Sequence, residues 1–165
     1  MKRADIPADV ELRVRSAARH RCGYCLSPQH LVIARLEIEH IISLAKGGSD
    51  DESNLWLACP LCNGHKSAKI DAIDPESGIR VALFNPRTQV WQEHFASIDD
   101  GLRIEGLTPI GRATVVALHL SIVVQYRSGC LRLNVKYLAS LPIVLPLKIA
   151  IIPANLHGSV DSRKR

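Results

Sequence analysis

Apolar and polar positions alternate most clearly over residues 36–43, where Leu36, Ile38, His40 and Ile42 interleave with Glu37, Glu39, Ile41 and Ser43. A period of two belongs to a strand, so 31–43 is predicted as extended, with His40 on the apolar side. Lys46-Gly47-Gly48-Ser49-Asp50-Asp51 is a loop by composition. A short second strand is predicted over 54–58, and a helix over 60–70 with Pro60 near its start. Upstream, Ile6-Pro7-Ala8-Asp9 opens a helix whose apolar stripe is Val10, Val14 and Ala17. Downstream, 74–78 reads as a turn and 81–84 as a strand ended by Asn85-Pro86. Residues 90–96 and 102–107 read as a hairpin around Asp99-Asp100-Gly101, with Trp91 and Phe95 in the core. Thr108-Pro109 caps a last helix with the stripe Ala113, Val116, Ala117 and Leu120. These elements make the chain α+β.

The 165 residues suit one domain, or one domain with an appendage, and 47% hydrophobic residues can fill a core. The net charge of +5 permits an anionic partner without demanding one. It is unevenly spread. Residues 1–100 hold 12 Lys/Arg against 14 Asp/Glu, whereas 101–165 hold 9 against 2. The basic C-terminal part either grips phosphates or only solubilises the surface. The apolar run 138–152 is interrupted by Pro142, Pro146 and Lys148, which argues against a membrane span and for sheet extension or a partner surface. Residues 1–10 lack the apolar stretch of a secretion signal, so a cytoplasmic setting is expected.

In that setting cysteines point to metal rather than to disulfides. Of five, four form two pairs, Cys22-x-x-Cys25 and Cys59-x-x-Cys62, and Cys130 stands apart as a small core residue. Two such pairs supply four sulfurs, enough to close a tetrahedral site. A closed site leaves no position for water and is structural. Zinc is the expected ion; iron or unpaired thiols are the alternatives.

Between the pairs lie Glu39-His40, the Gly47-Gly48 loop and Asn54-Leu55, fourteen residues after the histidine; Asn63 follows Cys62. On these residues the chain resembles the HNH endonuclease family, built on a ββα-metal finger often stapled by zinc. The resemblance runs from Cys22 to Lys69 and continues more weakly through Asn85-Pro86-Arg87 and residues 107–113.

The resemblance implies a metal-dependent nuclease acting on DNA, with double-stranded DNA as the expected partner. It makes His40 the general base and Asn54 the residue that ties down the loop and orients the histidine. It makes Glu39 and the Asn63 side-chain carbonyl the ligands of a catalytic magnesium or manganese ion. This chain carries Glu39 where the family often has Asp, and Asn63 where it commonly has His, so it reads as an H-N-N variant. His65 is the alternative to Asn63; two positions along a helix are about 200° apart, so both cannot face one ion. Strict alternation would also send Glu39 and His40 to opposite faces unless the strand twists or ends there. Lys66 and Lys69 read mainly as a solvated face, with a phosphate contact as the second reading.

The domain reading is 1–72 as the zinc-stapled core, 73–126 as a hairpin-and-helix extension, and 127–165 as an apolar, basic tail without an assigned role. Two rival classes stand beside the nuclease: a zinc-stabilised nucleic-acid binder that no longer cuts, and a zinc-held protein-interaction domain.

Overall fold

The protein is described by a computed structural model covering residues 6–32, 34–99 and 103–120. After helix α1 (Ala8–Ala17) come strands β1 (Glu37–His40) and β2 (Leu55–Ala58), then helix α2 (Pro60–Lys66). The two strands pair antiparallel, with Glu39 opposite Trp56 and His40 opposite Leu55. This is the strand, loop, strand, helix order expected from the sequence. The extension adds β3 (Asp71–Ile73) paired with β4 (Arg80–Ala82), a single-turn helix α3 (Trp91–His94), the hairpin β5 (Phe95–Ile98) and β6 (Arg103–Gly106), and helix α4 (Pro109–Leu118).

Several elements are shorter than predicted, for local reasons. Before β1, the side-chain oxygen of Gln29 takes the Leu36 N–H at 2.8 Å and holds a bend. After His40, the side chain of Asn54 takes both the N–H and the carbonyl of Ile42, the groups a longer ladder would use. Helix α2 stops at Lys66 because Ser67 adopts a left-handed backbone, with φ of 48°. Trp91 belongs to a helical turn rather than a strand; its indole N–H donates to the Tyr24 carbonyl at 2.8 Å.

The apolar stripes also shift. In α1, Val14 is buried and the partner below it is Ala18, while Ala17 faces solvent. In α4, Val116 is exposed and Thr114 turns inward, because its hydroxyl accepts the Phe84 N–H and donates to the Ile110 carbonyl. Thr108 caps this helix as expected, accepting from the Gly111 N–H.

One core joins finger and extension. Tyr24, Leu36 and Leu57 of the finger are fully buried in the same cluster as Phe84, Phe95 and Leu118. Each such side chain contributes roughly 1.5–3 kcal/mol on leaving water. Asp74 adds a polar clamp. Its two carboxylate oxygens accept from Nε and Nη2 of Arg112, both at 2.8 Å, and the guanidinium holds that carboxyl well below the usual range. No helix among the described residues is long and apolar enough to cross a membrane. The sequence readings for 127–165, Cys130 and the apolar run 138–152 included, lie outside the described residues.

Candidate active site and metal centre

The first cysteine pair sits on a tight turn. Cys22 N–H donates to the Ser27 carbonyl and Leu26 N–H to the Cys22 carbonyl, with Leu26 at a φ of 59°. Gly23 N–H donates to the Leu57 carbonyl at 2.8 Å, which fastens this knuckle to β2 two residues before the second pair begins. Cys59 then serves as the N-cap of α2, its sulfur accepting the Cys62 N–H at 3.4 Å, with Pro60 in the first turn. A helix start that needs a cap acceptor and a C-x-x-C that needs two sulfurs on one side are thus met by the same turn.

All four cysteines are buried, and their sulfurs lie within 4.8 Å of one another. Cys25 and Cys59 sulfurs are 3.9 Å apart, far beyond disulfide bonding. A zinc tetrahedron with bonds of about 2.3 Å places its sulfurs about 3.8 Å apart, so the cluster fits the ion. Burial pushes the Cys22 thiol up. The arrangement is compatible with structural zinc, and no position at the sulfurs is left for a reacting water.

Beside this centre is a cleft of about 250 Å³ lined by Glu39, His40, Ser43, Asn63 and Ser67, with Ile38 and Leu44. Two successive residues of one strand reach it because His40 ends β1 and the chain turns there. The His40 ring is nearly buried, and its Nε2 lies 2.7 Å from a carboxylate oxygen of Asp50. Asn54 clamps the loop between the strands. Its side-chain oxygen accepts the Ile42 N–H, and its amide donates to the carbonyls of Ile42 and Ser49, all at 2.8–2.9 Å. Gly48 permits this clamp, since a Cβ there would run into the Ile42 carbonyl and the Asn54 amide. Gly47, at a φ of 84°, makes the left-handed step into it.

Asn63 reaches the cleft from α2. Its Nδ2 donates to Glu37 at 2.6 Å, which leaves Oδ1 as the free oxygen. Ser43 Oγ, also on the cleft, is a buried hydroxyl without a hydrogen-bond partner among the described residues. Oxygen donors of this kind suit a hard divalent cation. Glu39 lines the same cleft but is not a free carboxylate. One oxygen accepts the Tyr24 hydroxyl; the other is 2.9 Å from the Lys66 ammonium, and all three side chains are buried. Burial pushes the Glu39 carboxyl up, and Lys66 opposes that rise. Each carboxylate oxygen keeps a second lone pair, so Glu39 can join Asn63 and Ser43 around an ion only as a shared ligand.

Two sequence expectations are corrected. Lys66 neither lies on a solvated face nor reaches toward a phosphate: it is 1% exposed, and its ammonium donates to the His40 carbonyl at 2.8 Å as well as meeting Glu39. A buried ammonium is tolerated only when paired, so the lysine is a brace for the strand. His65, the alternative ligand, stacks against His119 with ring centroids 4.6 Å apart and is absent from the cleft lining. Lys69 is exposed, and its ammonium donates to the His65 carbonyl near the end of α2.

The sequence reading passed over Asp50 and Tyr24. Glu37 and Glu39 stand two apart on β1 and meet Asn63 and Lys66, three apart on α2. The strand period of two and the helix period of 3.6 supply that match, a signal available before the structure.

Residues 22–69 match the family model described as HNH endonuclease. That span begins at the first cysteine and takes in all four sulfurs, His40, Asn54 and Asn63, so the resemblance read from the sequence holds there. No curated protein and no solved structure matches the chain. The match joins the sulfur cluster to nucleic-acid chemistry of the nuclease type.

Proposed function

We propose that this protein is a metal-dependent endonuclease that hydrolyses DNA phosphodiester bonds, with His40 as general base. The observation that carries the reading is the meeting of His40 and Asn63 at one cleft, beside four clustered sulfurs, inside the segment matched by the HNH model. Breaking a phosphodiester requires a deprotonated water, neutralised charge at phosphorus and help for the leaving oxygen. A histidine near neutrality can take the proton from water. A magnesium or manganese ion held by Asn63 and Glu39 would stabilise charge on the phosphate and the leaving 3′ oxygen.

The chain's own contribution is alignment. Asn54 holds the loop against Ile42 and Ser49. Lys66 fixes the His40 backbone through its carbonyl. Glu37 turns the Asn63 amide so that its oxygen is the atom presented. Cys22, Cys25, Cys59 and Cys62 would hold a structural zinc ion that fastens α2 and the knuckle to β2, the elements that carry Asn63 and pair with the strand of His40.

The second reading is a zinc-stabilised nucleic-acid binder that does not cut. The engagement of both Glu39 oxygens by Tyr24 and Lys66 favours it. The two readings separate in one assay. Zinc-loaded protein is incubated with supercoiled plasmid in magnesium, in manganese and in EDTA, beside His40→Ala. Metal-dependent nicking that disappears in a folded, zinc-bearing His40→Ala supports the nuclease. Salt-sensitive DNA binding without cleavage in any metal supports the silent binder.

A further inference from the structure

The loop between β1 and β2 holds three consecutive acids, each with its own partner. Asp51 accepts the Ser49 hydroxyl at 2.7 Å, and Glu52 takes Nε of Arg13 on α1 at 2.8 Å. Only Asp50 turns toward His40, with its Oδ1 2.7 Å from His40 Nε2. The Asp50 side chain is 46% exposed, while the His40 side chain it holds is 6% exposed. A surface acid thus reaches inward onto a buried ring.

Its own backbone is restrained for the task. Asn54 grips the Ser49 carbonyl at 2.8 Å, one residue before Asp50, and Gly48 N–H donates to the Ser43 carbonyl at 3.0 Å. A carboxylate offers only lone pairs, so Nε2 carries the hydrogen and Nδ1 keeps its lone pair. Nδ1 has no hydrogen-bond partner among the described residues.

We propose, resting on the nuclease reading, that Asp50 is the positioning residue for His40. It fixes the tautomer and the plane of the ring so that Nδ1 is the atom that receives the proton of the attacking water. That proton goes to Nδ1 as the oxygen–phosphorus bond forms; the bond to the 3′ oxygen breaks, and the departing alkoxide takes a proton from solvent water. The imidazolium keeps Nε2–H on Asp50, which itself takes no proton, and then releases the Nδ1 proton to solvent. Asn54 acts on the base through this acid, by way of Ser49.

The test uses the full zinc-loaded chain, Asp50→Ala and Asp50→Glu. Rates on supercoiled plasmid with manganese are resolved into kcat and KM. Proton spectra of protein labelled with ¹⁵N at histidine report whether the His40 Nε2–H is protected from exchange. General-base contributions run to about 10²–10⁴ in rate. Asp50→Ala is expected to lower kcat by about 30-fold or more and to lose the protected Nε2–H. Its KM, zinc content and melting temperature should stay at wild-type values. Asp50→Glu, with room at a half-exposed site, should recover at least about tenfold of that loss.

Wild-type kcat in Asp50→Ala overturns the proposal. So does a loss that lies in KM, zinc or melting temperature, or a wild type without a protected Nε2–H. A wild type that shows the protected Nε2–H yet cuts nothing overturns the nuclease reading and the catalytic role together, and leaves the hydrogen bond standing.

Discussion

The sulfur cluster and the cleft lie side by side and are built on opposite terms. The cluster is closed: four buried side chains of one type, with nothing left over for chemistry. The cleft is open and mixed, with an acid held by a lysine, a histidine held by an acid, an amide oxygen left free and a hydroxyl without a partner. One carries stability and no reactivity. The other carries the polar groups that the proposed reaction would use, and its histidine and its buried acid are each held by a neighbour. The lesson is that the two are joined by a short polar chain. Tyr24, between the knuckle cysteines, donates to Glu39, which meets Lys66, which donates to the carbonyl of His40.

The largest effect should come from the closed side. Cys22→Ser should lose zinc and most of the fold, since metal binding in small zinc domains contributes on the order of 10 kcal/mol; zinc content and circular dichroism check it. The connecting chain comes next. Lys66→Met leaves a buried carboxylate without its cation and should cost about 3–5 kcal/mol in chemical denaturation, even if zinc is retained. A Lys66→Met variant as stable as wild type would disconnect the two regions. Asn54→Ala removes three hydrogen bonds at the loop and should cost about 1–3 kcal/mol, with a fall in cleavage larger than that loss explains. His40→Ala should be mildest for the fold, within about 1 kcal/mol, and most severe for nicking. Equal damage to stability from His40→Ala and Cys22→Ser would erase the distinction between the regions.

How much of this was legible in advance followed the same division. Cysteine spacing is a property of the chain itself, and Cys22, Cys25, Cys59 and Cys62 meet where the spacing implied. His40, Asn54 and Asn63 were legible as a pattern of types, because each residue type can do few things at such a spacing. The roles of Glu39 and Lys66 were not. Glu39 reads as an unpaired carboxylate and Lys66 as a solvated cation until the 26 positions between them are folded away. Asp50 was hidden by its neighbours: three acids in a row carry no period, and only the clamp on Ser49 decides which one faces the histidine. In the extension, Thr108 announced its helix because a cap is local. Val116 misled because the inward turn of Thr114 depends on Phe84, thirty residues earlier.

The position of β1 and its loop between Cys25 and Cys59 has one more consequence. With an ion in the four sulfurs, the segment bearing His40 and Asn54 would be a ring of chain clasped by it. Closing a ring of that length is worth about 4 kcal/mol by chain-entropy reasoning for a cross-link. Such a clasp could not shut until Cys62 had emerged from the ribosome, well after His40. On the proposed nuclease reading, a chain made without zinc would hold its histidine unarmed.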